Sequence, residues 1–210
     1  MTEPDESQFN FLKDQALELG ATEAKIIPAN EIVVENRVVL KCKIGCTNFG
    51  KTLMCPPYAP SIDNFRKTLN EYSYALVLKF KSQAKATPEV ASLLSKEEND
   101  PSLTVEIREK IRAFWDSWNN DRKEVLTKLR ILEKAAMNKG YTFALAFTTG
   151  SCIICDKCNV EQKLCIHPTQ ARCSAQAVGI NILQTLKNAG MPMHYPFKKS
   201  PESFGLVLLT

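Results

Sequence analysis

Cysteine placement constrains this chain more than any other feature. Cys42, Cys46 and Cys55 form one tight group, Cys152, Cys155, Cys158, Cys165 and Cys173 a second, and no cysteine lies between the groups. A secreted disulfide framework spreads its bridges along a small chain. Tight groups read instead as metal ligands or redox thiols. The chain opens on Met1-Thr2-Glu3-Pro4-Asp5-Glu6, which is acidic and polar rather than basic and apolar. That start is unlike a secretory leader, so the expected location is the cytoplasm.

At 210 residues the chain is long enough to bury a core without staples. We expect a single cysteine-rich metal-binding domain over 1–210, with 1–6 as a loose tail and 81–101 as a polar insertion. The net charge of +4 is too small, and its lysines too scattered, to argue for a nucleic-acid partner. No apolar run approaches the roughly 20 residues of a membrane-spanning helix.

Apolar periodicity and turn residues place the elements. Ser7 to Leu19 reads as a helix stopped by Gly20. Ala24 to Ile27 and Ile32 to Val34 read as short strands, and Arg37 to Ile44 as β-rich. Ser61 is an N-cap for a helix to Tyr72, followed by a strand from Ser73 to Phe80. A short helix starts near Pro88. Apolar residues at Ile107, Ile111, Phe114, Trp118, Val125, Leu129, Leu132 and Ala136 mark one face of a long helix. Asp100 is its expected cap, Pro101 its first residue and Gly140 its end. Its lysines and glutamates read as a solvated face. Thr142 to Thr148 reads as a strand, Ser174 to Asn188 as a helix, and Phe204 to Leu209 as a last strand. Such alternation predicts an α/β or α+β fold with a mixed sheet and flanking helices, both cysteine groups sitting in loops.

Cys152-Ile153-Ile154-Cys155-Asp156-Lys157-Cys158 is a C-x2-C-x2-C run, and Cys165 follows after six residues. Two-residue gaps let successive thiolates curl around one centre, as in the tight half of the bacterial ferredoxin pattern. The longer gap to Cys165 and the later Pro168 depart from that pattern. Zinc sites more often use separated C-x2-C pairs. An iron–sulfur cluster is the first reading, zinc the second and free thiols the third. His167 is a ligand, a hydrogen-bond donor to a cluster sulfur, or a plain loop histidine. Cys173 is a ligand or a small buried residue.

Cys42, Cys46 and Cys55, spaced C-x3-C-x8-C, make a trio without an obvious fourth ligand. They suit a cubane with one open iron, or a site completed by Cys173 or Cys165, since the fourth cysteine of a ferredoxin run can serve the other cluster. The same stretch, Gly45-Cys46-Thr47-Asn48-Phe49-Gly50-Lys51-Thr52, matches the phosphate-loop expression. That motif needs a helix starting at the lysine, and Pro56-Pro57 close behind forbids one. No nucleotide is expected. Gly45 and Gly50 read as turns around a cluster, Lys51 as a charge balancing it, and Cys55-Pro56-Pro57-Tyr58 as a rigid wall.

Cys42-x3-Cys46, the run Gly50 to Tyr58, and Cys152-x2-Cys155-x2-Cys158-x6-Cys165-x-His167-Pro168 together resemble a family of small cysteine-rich predicted metal-binding proteins of unknown function. That family is found mainly in archaea and anaerobic bacteria. Ala177-Val178-Gly179-Ile180-Asn181 is similar to its Glu-Ala-x-Gly-Ile-Asp segment, and the likeness runs from about Glu31 to Gly190. Gln176 stands where the family has a glutamate, and Cys173 where it requires no cysteine. The resemblance implies metal binding through Cys42, Cys46, Cys55, Cys152, Cys155, Cys158 and Cys165, and supplies no reaction.

Three functions follow. The first is an iron–sulfur protein with one or two 4Fe-4S clusters, for electron transfer to a redox partner protein or redox maintenance of a partner enzyme. The second is an enzyme whose open iron takes a small or sulfur-containing substrate, helped by Lys51, Tyr58 or His167. The third is a structural zinc module that binds a partner.

Overall fold

The computed structural model describes residues 5–96, 100–194, 197 and 200–210. Its frame is a four-stranded sheet of β1 (Glu23–Pro28), β2 (Tyr74–Lys81), β3 (Leu145–Phe147) and β4 (Glu202–Leu209), in the order β1-β2-β4-β3. All three strand pairings are antiparallel. The fold is therefore α+β, and the sheet is not mixed. The parallel element that does occur is an isolated bridge between Thr148 and Ser174, beyond the end of β3.

Helices cover both faces, and the side-chain period of two sorts the strand residues between them. Leu76, Leu78, Val207 and Leu209 face α1 (Asn10–Glu18) and α5 (Val105–Asn138), against Leu12, Leu129 and Leu132. Ala75, Val77, Leu206 and Leu208 face the other way, against Phe65 and Leu69 of α3 (Ile62–Leu69) and Ile182 and Leu186 of α6 (Ile182–Asn188). Burial on both faces explains why β2 and β4 read as nearly unbroken apolar runs. The first half of α5 carries Ile111 and Phe114 into a smaller core with Val90 of α4 (Pro88–Leu93). The segment 81–101 is thus tied to α5, with 97–99 outside the described residues. The tail expected at 1–6 lies outside them through residue 4, and Glu6 opens a 3-10 turn ahead of α1.

Several elements differ from expectation. Arg37 to Ile44 is not β-rich structure but belongs to α2 (Asn36–Gly45). A Val-Val-Leu run favours strand only weakly, and context overrides it. Here the N–H of Glu35 donates to the Gly179 carbonyl at 2.8 Å, and the helix turns Val39 inward. Ile32 to Val34 forms a single bridge, Val34 to Ile180, rather than a strand. The long helix begins later than Asp100, because Thr104 takes the cap and accepts from the Ile107 N–H; Asp100 accepts from Ser102 in the preceding turn. Thr142 to Thr148 shortens to the three residues of β3. The Ser174–Asn188 helix is split at Gly179, whose φ of +92° no helix accepts, and α6 restarts on an Asn181 cap.

Candidate metal centre

The two cysteine groups arrive at one place by different routes. Cys42 lies in the last turns of α2 and Cys46 is its C-cap, so these two are not loop residues as expected. Their C-x3-C spacing is an i, i+4 helical pair, which puts both on one side of α2. The turns of residues 46–59 then carry Cys55, the one buried cysteine of the eight, and the next helix is α3 at Ile62. Helix α2 packs against the 3-10 turn Gln176–Val178, next to the end of β3. The second group leaves from that end, in the segment between Thr148 and Ser174.

Helix α5 holds this second segment at both ends. Arg122 donates from Nε to the Thr149 carbonyl at 3.2 Å and from its terminal nitrogen to the Ser151 carbonyl. Two turns on, Arg130 Nε donates to the Thr169 carbonyl at 3.2 Å. Beyond it, buried Glu133 accepts from Arg172 Nε at 2.9 and 3.0 Å on its two oxygens, and from the Ala146 N–H at 2.9 Å. Glu133, one of the glutamates expected on the solvated face, thus turns inward, and so does Arg122. Both were legible: Arg122 fills the seven-residue gap between Trp118 and Val125 in the apolar stripe, four after one and three before the other, and Glu133 sits four after Leu129.

Two cavities result. One, of about 520 Å³, is lined by Cys152, Cys155, Cys158 and Cys165 together with Lys51 and His167. The second, of about 780 Å³, is lined by Cys42, Cys46 and Cys55 with Phe49, Trp118 and Ile180 among its apolar walls. Ser151 lines both. The groups also touch directly. The backbone N–H of Leu53, in the first loop, donates to Cys158 Sγ at 3.4 Å. Cys173 is half-buried, its Sγ 3.7 Å from the Met54 sulfur. His167 lines the four-cysteine cavity, next to the group it was first read with; Lys51 lines that cavity too, although it was read as balancing the trio's charge, and Tyr58 is exposed. Glu35, Arg37, Lys41, Gln176, Asn181 and Glu202 are among the polar groups that line the trio's cavity.

Burial favours the neutral form of several of these thiols. Burial pushes Cys42, Cys55 and Cys152 up from the ordinary thiol value, and neighbouring cysteines push Cys42 and Cys152 further. Cys173 is pushed up to about 11, by burial first and then by Cys55 and Cys152. A cation is what reverses this balance, because metal ligation deprotonates a thiol outright. Among the described residues no three such side chains converge tightly enough to hold one ion as they stand. The four thiols surround a cavity instead. Their chemistry suits soft, thiophilic metals and iron–sulfur clusters, and the N–H···S bond at Cys158 is the kind of outer support such ligands use.

Fold and site define an α+β protein with two adjoining thiol-lined cavities. The chain belongs to the predicted metal-binding protein family DUF2284, whose sequence profile matches residues 25–209. That span is wider than the likeness read from the motifs and takes in every strand but the first two residues of β1. No curated protein and no solved structure matches the chain. Among the described residues no helix is long and apolar enough to cross a membrane.

Proposed function

We propose that the chain is an iron–sulfur protein that carries electrons to, or maintains the redox state of, a partner protein. The observation that carries this reading is the gathering of Cys152, Cys155, Cys158 and Cys165 around one cavity, the first three in the C-x2-C-x2-C spacing of a ferredoxin run. A single zinc ion would draw its thiolates to about 2.3 Å and fill little of that space. A 4Fe-4S cluster bound there supplies one-electron chemistry. The chain's own part is to donate the Leu53 N–H to Cys158, to set Lys51 and Lys123 beside the thiolates, and to seat the loop on α5. The amide and the two lysines, all from outside the loop, favour the more negative state of the ligands.

Cys155→Ser tests this reading. Iron bound by protein purified without oxygen should fall by most of one cluster, with the fold retained by circular dichroism. Unchanged iron would contradict it.

A second reading is favoured by the cavity at the trio. Cys42, Cys46 and Cys55 are three donors beside about 780 Å³ of largely apolar space, where a small substrate has room. An open coordination position facing such a space is the arrangement of metal catalysis. Adding cyanide to the reduced protein should then change its electron paramagnetic resonance. An unaltered spectrum would leave electron transfer alone.

A further inference from the structure

Arg122 is a buried cation without a buried anion. It is 8% exposed, and among the described residues its hydrogen bonds go to the carbonyls of Thr149 and Ser151 and to Asn119 Oδ1, with no carboxylate in an ion pair. The other buried charges among the described residues are paired: Lys79 with Glu23 and Glu202, and Glu133 with Arg172. A guanidinium taken out of water loses its hydration, and carbonyl dipoles repay only part of that loss.

The place has been built to receive it. The guanidinium lies against Gly150, where an added Cβ would come within 2.7–2.8 Å of two of its atoms. Gly150 has φ +71°, so the residue that makes room is also one whose backbone favours glycine. The bonds of Arg122 to the Thr149 and Ser151 carbonyls set its guanidinium at the residue before Cys152, and the thiols of Cys152 and Cys55, one from each cysteine group, are the ionisable groups that act on it. As thiols they are neutral and leave the cation uncompensated. As metal-bound thiolates they carry the missing negative charge.

We infer that Arg122 is the fixed counter-charge of an anionic metal–thiolate centre at the Cys55–Cys152 junction, a residue that retains metal through its charge without ligating it. This deepens the metal-binding reading above and rests on it. One group serving thiolates of both loops also explains why the two cavities share a wall at Ser151, whose carbonyl Arg122 holds.

The test is titration of the metal-free full chain with Co2+ under anaerobic conditions, followed by thiolate-to-cobalt charge-transfer absorption, for wild type, Arg122→Lys and Arg122→Gln. Lysine keeps the charge but loses the fork that binds two carbonyls. Arg122→Lys should retain most of the affinity, while Arg122→Gln loses about 10- to 100-fold, the usual cost of removing an outer partner. Wild-type affinity in Arg122→Gln would overturn the inference. So would equal losses in both variants, the pattern of a residue needed only for its forked bonds. If Arg122→Gln does not fold, Arg122→Lys decides alone: near-wild-type affinity supports the inference and a large loss contradicts it. Absence of any charge-transfer band in wild type is a separate failure, that of the metal-binding reading itself, and the role of Arg122 falls with it.

Discussion

The backbone N–H of Leu53 reaches Cys158 Sγ at 3.4 Å across 105 residues of sequence. The contact docks the first cysteine loop on the second, outside any strand or helix. The Leu53 amide should therefore exchange with solvent more slowly than its turn neighbours, and slower still once metal makes the sulfur anionic. Hydrogen exchange by NMR reads this directly. Exchange at the rate of a free turn, with and without metal, would mean that the loops are not docked.

Glu133 should be a severe position. Its side chain is 4% exposed and that of Arg172 is 18% exposed. Glu133→Ala would leave the Arg172 guanidinium and the Ala146 N–H without their acceptor. Breaking one side of such a buried pair costs about 3–5 kcal/mol. Urea denaturation measures it, and a change under about 1 kcal/mol, the scale of an exposed pair, would show that Glu133 is not the anchor described.

Gly205 records how closely α5 approaches the sheet. A Cβ there would stand 2.5 Å from Leu129 Cδ2 and 3.2 Å from Cδ1 and Cγ. Leu129 is fully buried, so its far end has little freedom to retreat. Gly205→Ala should cost about 1–3 kcal/mol by overpacking, seen as a lower thermal midpoint. Gly205→Ala combined with Leu129→Val should recover part of the loss. No loss in the single variant would mean that α5 packs further from β4.

Thiol reactivity should rank the cysteines in the metal-free chain. Cys46 is exposed, while the Cys173 thiol is pushed up to about 11, chiefly by burial. The thiolate is the reactive form. A raised value leaves Cys173 protonated through neutral pH, and its reactivity should rise only as the solution approaches pH 11. Mass spectrometry after brief alkylation at neutral pH should find Cys46 modified first and Cys173 among the last. Early modification of Cys173 would contradict its placement.

Most of the frame was legible from periodicity. The apolar stripe of the long helix, β2, β4 and the Ser61 cap stand where apolar spacing and turn chemistry put them, while the helix's start moved from Asp100 to Thr104, because burial on a helix stripe or a strand face writes itself into the sequence more firmly than a cap does. What was not legible depended on distant partners. Arg37 to Ile44 has the composition of a strand, and only its seat against Gly179 makes it a helix. The single run from Ser174 to Asn188 is broken by Gly179, a visible signal passed over in favour of the apolar pattern around it. The cysteine groups announced themselves by spacing, yet nothing in the spacing said that Leu53 would meet Cys158. Arg122 and Glu133 were visible as charges inside an apolar stripe. Their meaning needed the loop that folds over them.

We propose that the clustered thiols hold iron and sulfide. The most direct measurement is iron, zinc and acid-labile sulfide per chain, with an absorption spectrum, on protein purified without oxygen. A brown protein with iron and sulfide in equal amounts is expected: about four of each for a cluster at the four-cysteine cavity alone, about eight if the trio also holds one. A colourless protein carrying zinc and no sulfide would contradict the proposal and make these loops a structural zinc module.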